Sequence, residues 1–105
     1  MKAEIMEIMT WIPYGRVTTY GHVAELLDIH YGMKTSGRMV GKILSWMSSE
    51  EQIRYPWRRV INMQWYLPTM KLGERGLRHK MLLEKEHIPV INDLVDMKEF
   101  GWRKV

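Results

Sequence analysis

Apolar residues recur at helical spacing along most of the chain. Ile5, Ile8, Met9 and Ile12 predict a helix over about 2–12, and Pro13-Tyr14-Gly15 punctuates its end. Thr18 or Thr19 is placed to cap a second helix of about two turns, whose inner face is Val23, Leu26 and Leu27. A connection from Asp28 to Thr35 leads to Ser36, a good N-cap. Val40, Ile43, Leu44 and Met47 follow at i, i+3, i+4 and i+7, which predicts a third helix. Tyr55-Pro56-Trp57 interrupts the helical pattern, and Val60-Ile61-Asn62 is long enough only for a strand or extended segment. A further helix over about 73–86 is expected to turn Leu77, Met81 and Leu82 inward, with Arg78 and Lys80 among its polar positions. Val90-Ile91 and residues 95–102 predict a short strand and a tethering turn.

The tandem of short helices before residue 48 matters most for function. The second carries Arg38, Gly41, Lys42 and Ser45 on its polar face, which fits a helix-turn-helix that offers this helix to DNA. The pattern alone fits an ordinary helical pair in a core better than it fits a DNA-binding pair. With 105 residues, 46% of them hydrophobic, the chain is expected to form one domain over 1–105, α+β in class and mostly α.

Composition narrows the chemistry. The chain has no cysteine, which removes disulfide scaffolds, thiolate metal sites and every mechanism with a thiol nucleophile. His22, His30, His79 and His87 have no zinc-binding spacing, so neither a metal nor a cofactor is expected. The formal charge of +4 is only weak evidence for a nucleic-acid partner, but its distribution is uneven. Arg54, Arg58, Arg59, Lys71, Arg75, Arg78 and Lys80 face a single acid, Glu74, between residues 54 and 80. Such a run supplies sequence-independent affinity for a phosphate backbone, or simply a solvated face. No signal peptide or membrane span is expected from the sequence, and the expected location is cytoplasmic and nucleoid-associated, or nuclear.

Three motifs, in order, carry a resemblance over most of the chain. The first is Ile12-Pro13-Tyr14-Gly15-Arg16-Val17-Thr18-Thr19-Tyr20-Gly21. The second is Gly37-Arg38-Met39-Val40-Gly41, and the third is Tyr55-Pro56-Trp57-Arg58-Arg59-Val60-Ile61-Asn62. Together they resemble the DNA-binding domain of O6-alkylguanine-DNA alkyltransferases and the alkyltransferase-like proteins related to it. The resemblance implies a winged helix-turn-helix that binds double-stranded DNA through the minor groove, as a monomer. By the same resemblance, Tyr20 and Arg38 turn out an O6-alkylguanine nucleotide, Arg38 filling the gap it leaves. Trp57, Pro56 and Tyr20 would then form the lesion pocket, and Thr19, Gly21, Gly41, Lys42 and Asn62 the DNA-binding surface.

In the enzymes the third motif reads Pro-Cys-His-Arg-Val, the cysteine accepting the alkyl group. Here that position is Trp57, whose indole has no lone pair for displacement at carbon, and the histidine position is Arg58, too basic to deprotonate near neutral pH. The chain is therefore expected to be no enzyme. A tryptophan offers instead a flat face for a base, worth roughly 1–3 kcal/mol per stacked base. The enzymes' later glutamate maps onto Glu86, so an Arg58–Glu86 ion pair is expected to support the pocket; two unpaired surface charges are the plain alternative. The resemblance further implies that the bound lesion is flagged to nucleotide excision repair proteins.

The match weakens in places. After Asn62 the family's glycine turn is replaced by Met63-Gln64-Trp65-Tyr66-Leu67-Pro68, and some relatives carry an arginine here where this chain has Met70 and Lys71. The glycine after the late glutamate is His87, and Lys34 in the connection faces either phosphate or water. A second reading from a different class is a winged-helix transcription regulator on undamaged operator DNA, which would show sequence preference and symmetric half-sites.

Overall fold

Helix α1 (Lys2–Trp11) buries Ile5, Met6, Ile8 and Met9, the face anticipated from their spacing, and ends where Ile12 turns extended ahead of Pro13. In this computed structural model, which describes residues 1–62, 65 and 73–103, the chain then enters strand β1 (Thr18–Thr19). The Thr19 hydroxyl accepts from the His22 backbone N–H at 3.2 Å and so caps α2 (Tyr20–Tyr31). Ser36 caps α3 (Gly37–Ser45) in the same way, through the Met39 N–H. Helix α4 (Ser49–Arg54) opens on a reciprocal capping box between Ser48 and Glu51. A 3₁₀ turn (Trp57–Arg59) follows, then strand β2 (Val60–Ile61), helix α5 (Glu74–Lys85) and a short α6 (Met97–Phe100).

The strands pair in parallel, Thr18 with Val60 and Thr19 with Ile61. Successive strand residues point to opposite faces, and here that divides the interior in two. Val60 joins the cluster built by α1, α2 and α3, with Leu26, Leu27, Val40 and Leu44. Ile61 joins a second cluster of Val17, Leu83, Ile88, Val90 and Val95. The protein is thus mostly α with a small sheet, as its pattern implied.

Several expectations need correction. Helix α2 is 12 residues long rather than about two turns, because it continues through exposed Asp28–Tyr31 until Gly32 ends it at φ 64°. The connection to α3 is correspondingly shorter, and Lys34 within it pairs with Asp28 at 3.3 Å. Helix α4 had no counterpart in the pattern because it buries no residue. On α5 the inward residues are Gly76, His79 and Leu83, whereas Leu77 and Met81 are exposed. One residue is about 100° of helix rotation, so a one-position error exchanges the faces. In the tail, the expected strand is only an isolated bridge between Ile91 and Leu94, and residues 97–100 are helical.

Two close approaches fix α3 against the start of α2. A Cβ on Gly37 would lie 2.8 Å from the Gly21 backbone nitrogen, and one on Gly41 would lie 3.1 Å from the Tyr20 ring. The first contact is backbone and cannot yield; the second is a side chain that can move.

A carboxylate joins three distant segments behind this layer. Buried Glu86, just beyond α5, accepts from Arg58 Nε at 2.6 Å, from Arg59 Nε at 2.9 Å and from the Gly15 backbone N–H at 2.9 Å. Arg59 also donates to the Ile12 carbonyl at 2.9 Å, and the Tyr14 hydroxyl to that of Lys85 at 3.0 Å. Gly15 meets Glu86 at φ 80°, where a side chain would be strained. Burial by itself would raise the Glu86 pKa, but the Gly15 N–H and then the two arginines outweigh it and hold the carboxyl below its usual 4.5.

Two outcomes follow. Gly37→Ala gains about 1 kcal/mol of helix propensity at most, against roughly 1–3 kcal/mol for overpacking, so net destabilisation is expected in thermal unfolding; a rise in midpoint would contradict the close contact. Glu86→Gln leaves two arginines without their partner and is expected to cost roughly 3 kcal/mol near neutral pH. Because the folded-state pKa is lowered, that contribution is full above the unfolded value and fades as pH falls through the folded one. Urea unfolding of both proteins at neutral pH and near pH 3 should show the gap closing in acid, and a gap that is constant with pH would refute the assignment.

Candidate nucleic-acid interface

The Glu86 clasp holds the 3₁₀ turn by its second and third residues, and this sets the position of the first, Trp57. The indole is half-buried, with part of it against the α1–α3 core. Its ring centre lies 4.8 Å from that of His79 on α5, the planes inclined at 56°. Indole Nε1 is buried and has no hydrogen-bond partner among the described residues. Pro56, also half-buried, precedes the turn, and its carbonyl accepts from the Arg59 N–H at 3.0 Å.

His79 braces the other side of this turn. Its Nε2 lies 2.8 Å from the Arg58 carbonyl oxygen, a contact that requires an N–H on that nitrogen. Burial pushes the imidazole pKa down to about 4, with the Arg58 carbonyl working the other way and the Arg75 and Arg58 charges adding to the depression. At neutral pH the ring is therefore uncharged and packs against the indole as an aromatic surface.

Beside Trp57 is an open cavity of about 250 Å³, lined also by Gln52, Glu74, Arg75 and Arg78. Tyr20, the first residue of α2, is half-buried against the same core, with Gly41 beneath its ring. Burial raises the phenol pKa and the positive charge of Arg75 opposes it, so Arg75 exerts its field on both Tyr20 and His79. Arg38 and Lys42 stand exposed one turn apart on α3, and Lys42 Nζ lies 5.5 Å from the ring centre of exposed Trp46. Among the described residues neither makes an ion pair with a carboxylate.

The anticipated site residues thus fall into separate groups. Trp57 and Pro56 sit on the 3₁₀ turn beside the cavity, Tyr20 and Gly41 touch each other, and Arg38 and Lys42 form the solvent face of α3. The hydroxyl of Thr19 is used as a helix cap, Gly21 lies under Gly37, and Asn62 is half-buried after β2. The Arg58–Glu86 pair is present. His79 and Gln52 around Trp57 were not anticipated as site residues, and Arg59, which shares that carboxylate, Arg75 and Arg78 were anticipated only as members of the basic run. Their signal was available only in part: positions 75, 78 and 79 lie one turn apart on a helix, but which face they share depends on its rotation. The question of a lesion-sensing cation between Met63 and Lys71 falls on residues 63, 64 and 66–72, outside those described. Among the described residues no three His, Asp or Glu side chains are grouped to hold a metal ion, and no helix is long and apolar enough to cross a membrane.

Known proteins align with this arrangement along nearly its whole length. The family model described as 6-O-methylguanine DNA methyltransferase, DNA binding domain, matches residues 1–88. Alkyltransferase-like protein 1 of Schizosaccharomyces pombe is 27% identical over 105 residues, 95% of this chain and 92% of its own. A protein of Vibrio parahaemolyticus named DNA base-flipping protein is 33% identical over 102 residues, 95% of this chain and 93% of its own. The crystal structure of S. pombe Atl1 in complex with damaged DNA containing O6-carboxymethylguanine superposes with a TM-score of 0.82 at 26% identity, covering 98% of this chain and 94% of that one. That agreement extends to the winged helix-like form of the DNA-binding fold. The chain belongs to the family of the 6-O-methylguanine DNA methyltransferase DNA-binding domain.

Proposed function

We propose that this protein recognises O6-alkylguanine in double-stranded DNA, turns the nucleotide out through the minor groove into the cavity beside Trp57, and leaves the alkyl group in place. The observation that carries this reading is the half-buried indole bordering an open cavity at the position where the enzymes of the family keep their acceptor cysteine. The relatives support it. One is named for base flipping, and another has been crystallised with damaged DNA.

Each step has a physical source. O6-alkylation weakens pairing with cytosine, so extruding that nucleotide costs less than the few kcal/mol needed for an intact pair. Arg38, exposed near the start of α3, enters the stack, where its guanidinium replaces the lost base and donates to the orphaned cytosine. Tyr20, held against Gly41, presses on the target's phosphate. Minor-groove readout discriminates bases poorly, which suits a scanner for damage rather than for a sequence. Trp57 then stacks on the everted purine. With no thiol in the chain and Arg58 bound to Glu86, the alkyl group has no acceptor and the complex persists. A persistent, distorted complex suits recruitment of nucleotide excision repair proteins.

Tryptophan emission in a titration with duplexes differing only in one O6-methylguanine tests the reading. Selective quenching with the lesion duplex is expected, lost in Trp57→Phe; equal binding of both duplexes would overturn it. Trp57→Ala should cost roughly 1–3 kcal/mol of lesion affinity. Arg38→Ala should remove most of the preference for the lesion, whereas Lys42→Ala should weaken damaged and normal duplexes alike and reduce the salt slope by about one contact. Gly41→Ala should leave stability nearly unchanged but displace the Tyr20 ring and reduce lesion preference; a full preference would rule out the Gly41–Tyr20 contact as a positioning element. After prolonged incubation with methylated duplex, the intact mass of the protein should be unchanged, and a gain of a methyl group would establish transfer instead.

A further inference from the structure

The basic residues near the cavity fall into two classes. Arg58 and Arg59 are both committed to Glu86. Arg75 and Arg78 line the cavity itself, are exposed, and have no carboxylate partner among the described residues. Glu74 borders the same cavity without pairing to Arg78, one turn further along α5. The walls next to Trp57 therefore hold two uncommitted guanidiniums against one carboxylate. Arg75 and Arg78 are three residues apart on one helix, where like charges repel weakly, and an anion between them would relieve that repulsion.

On the reading that this cavity receives the everted base, we propose that Arg75 and Arg78 set the charge preference for the O6 substituent, favouring one that ends in a carboxylate over a neutral group of the same size. A purine stacked on Trp57 directs its O6 substituent along the cavity wall. A neutral alkyl group gains only apolar contact there. A carboxylate one methylene beyond O6 meets planar guanidiniums whose paired N–H donors match its two oxygens. Glu74 opposes this preference, but its single charge is outweighed by the two guanidiniums.

The test measures affinities of the full chain for three otherwise identical duplexes: undamaged, carrying O6-carboxymethylguanine, and carrying its neutral isostere O6-carbamoylmethylguanine. The wild-type protein is expected to prefer the carboxymethyl over the carbamoylmethyl duplex by about tenfold, as for one charge-assisted contact. In Arg75→Gln/Arg78→Gln that ratio should fall close to one, while the neutral lesion is still distinguished from undamaged DNA. A wild-type ratio near one would overturn the proposal and leave the function standing. So would a ratio that survives the double substitution, since the arginines would then serve only DNA phosphates. Failure of the wild type to distinguish either lesion from undamaged duplex would instead overturn the functional reading on which the proposal rests. Circular dichroism of the double variant confirms folding, and both substituted positions are exposed.

Discussion

Glu86 is the carboxylate on which the geometry of the site depends. It ends α5, yet its oxygens are occupied by the 3₁₀ turn through Arg58 and Arg59 and by the α1–β1 turn through Gly15. Three segments far apart in sequence are thereby held at one point, in a buried setting where the charge needs all of its donors. Trp57 leads the turn that this carboxylate grips from one side and His79 braces from the other. The indole is fixed without being enclosed, which is what a recognition surface requires.

The resemblance to the alkyltransferases sets Trp57 at the position of their acceptor cysteine, Arg58 at that of a histidine and Glu86 at that of the later glutamate. Here the same positions carry an indole and a guanidinium: the guanidinium is held in an ion pair with Glu86, and on the proposed reading the indole serves as a stacking surface in place of a nucleophile. A thiol nucleophile must be oriented and deprotonated, whereas a tryptophan that stacks on a base needs only one face beside an accessible cavity. The basic side chains follow the same division of labour, with some spent on structure behind the indole and others left free around it.

Much of this was legible in the residues, though unevenly. Helices α1 and α3 followed from apolar spacing, and α3 also from its Ser36 cap, because their buried faces are continuous. The end of α2 and all of α4 were not, since exposed residues carry no periodic signal and only the Ser48–Glu51 capping box marks α4. The rotation of α5 was misjudged because Leu77 and Met81 are apolar but exposed, while the buried face contains Gly76 and His79, residues that a hydrophobic pattern does not weight. That single rotation also concealed His79 behind Trp57 and Arg75 and Arg78 beside it. Motif order, by contrast, paired Arg58 with Glu86, a contact between distant segments that periodicity cannot express.

Lesion recognition as proposed requires contact between a flipped purine and the Trp57 ring. The indole N–H of Trp57, buried and without a partner among the described residues, gives that contact its own reporter. In two-dimensional NMR of protein labelled with nitrogen-15, assigned through Trp57→Phe, its resonance should shift on adding a duplex with one O6-methylguanine and stay in place with the undamaged duplex. If Trp57 is unmoved by the lesion while residues of α3 respond to both duplexes, the protein binds DNA without reading the damaged base.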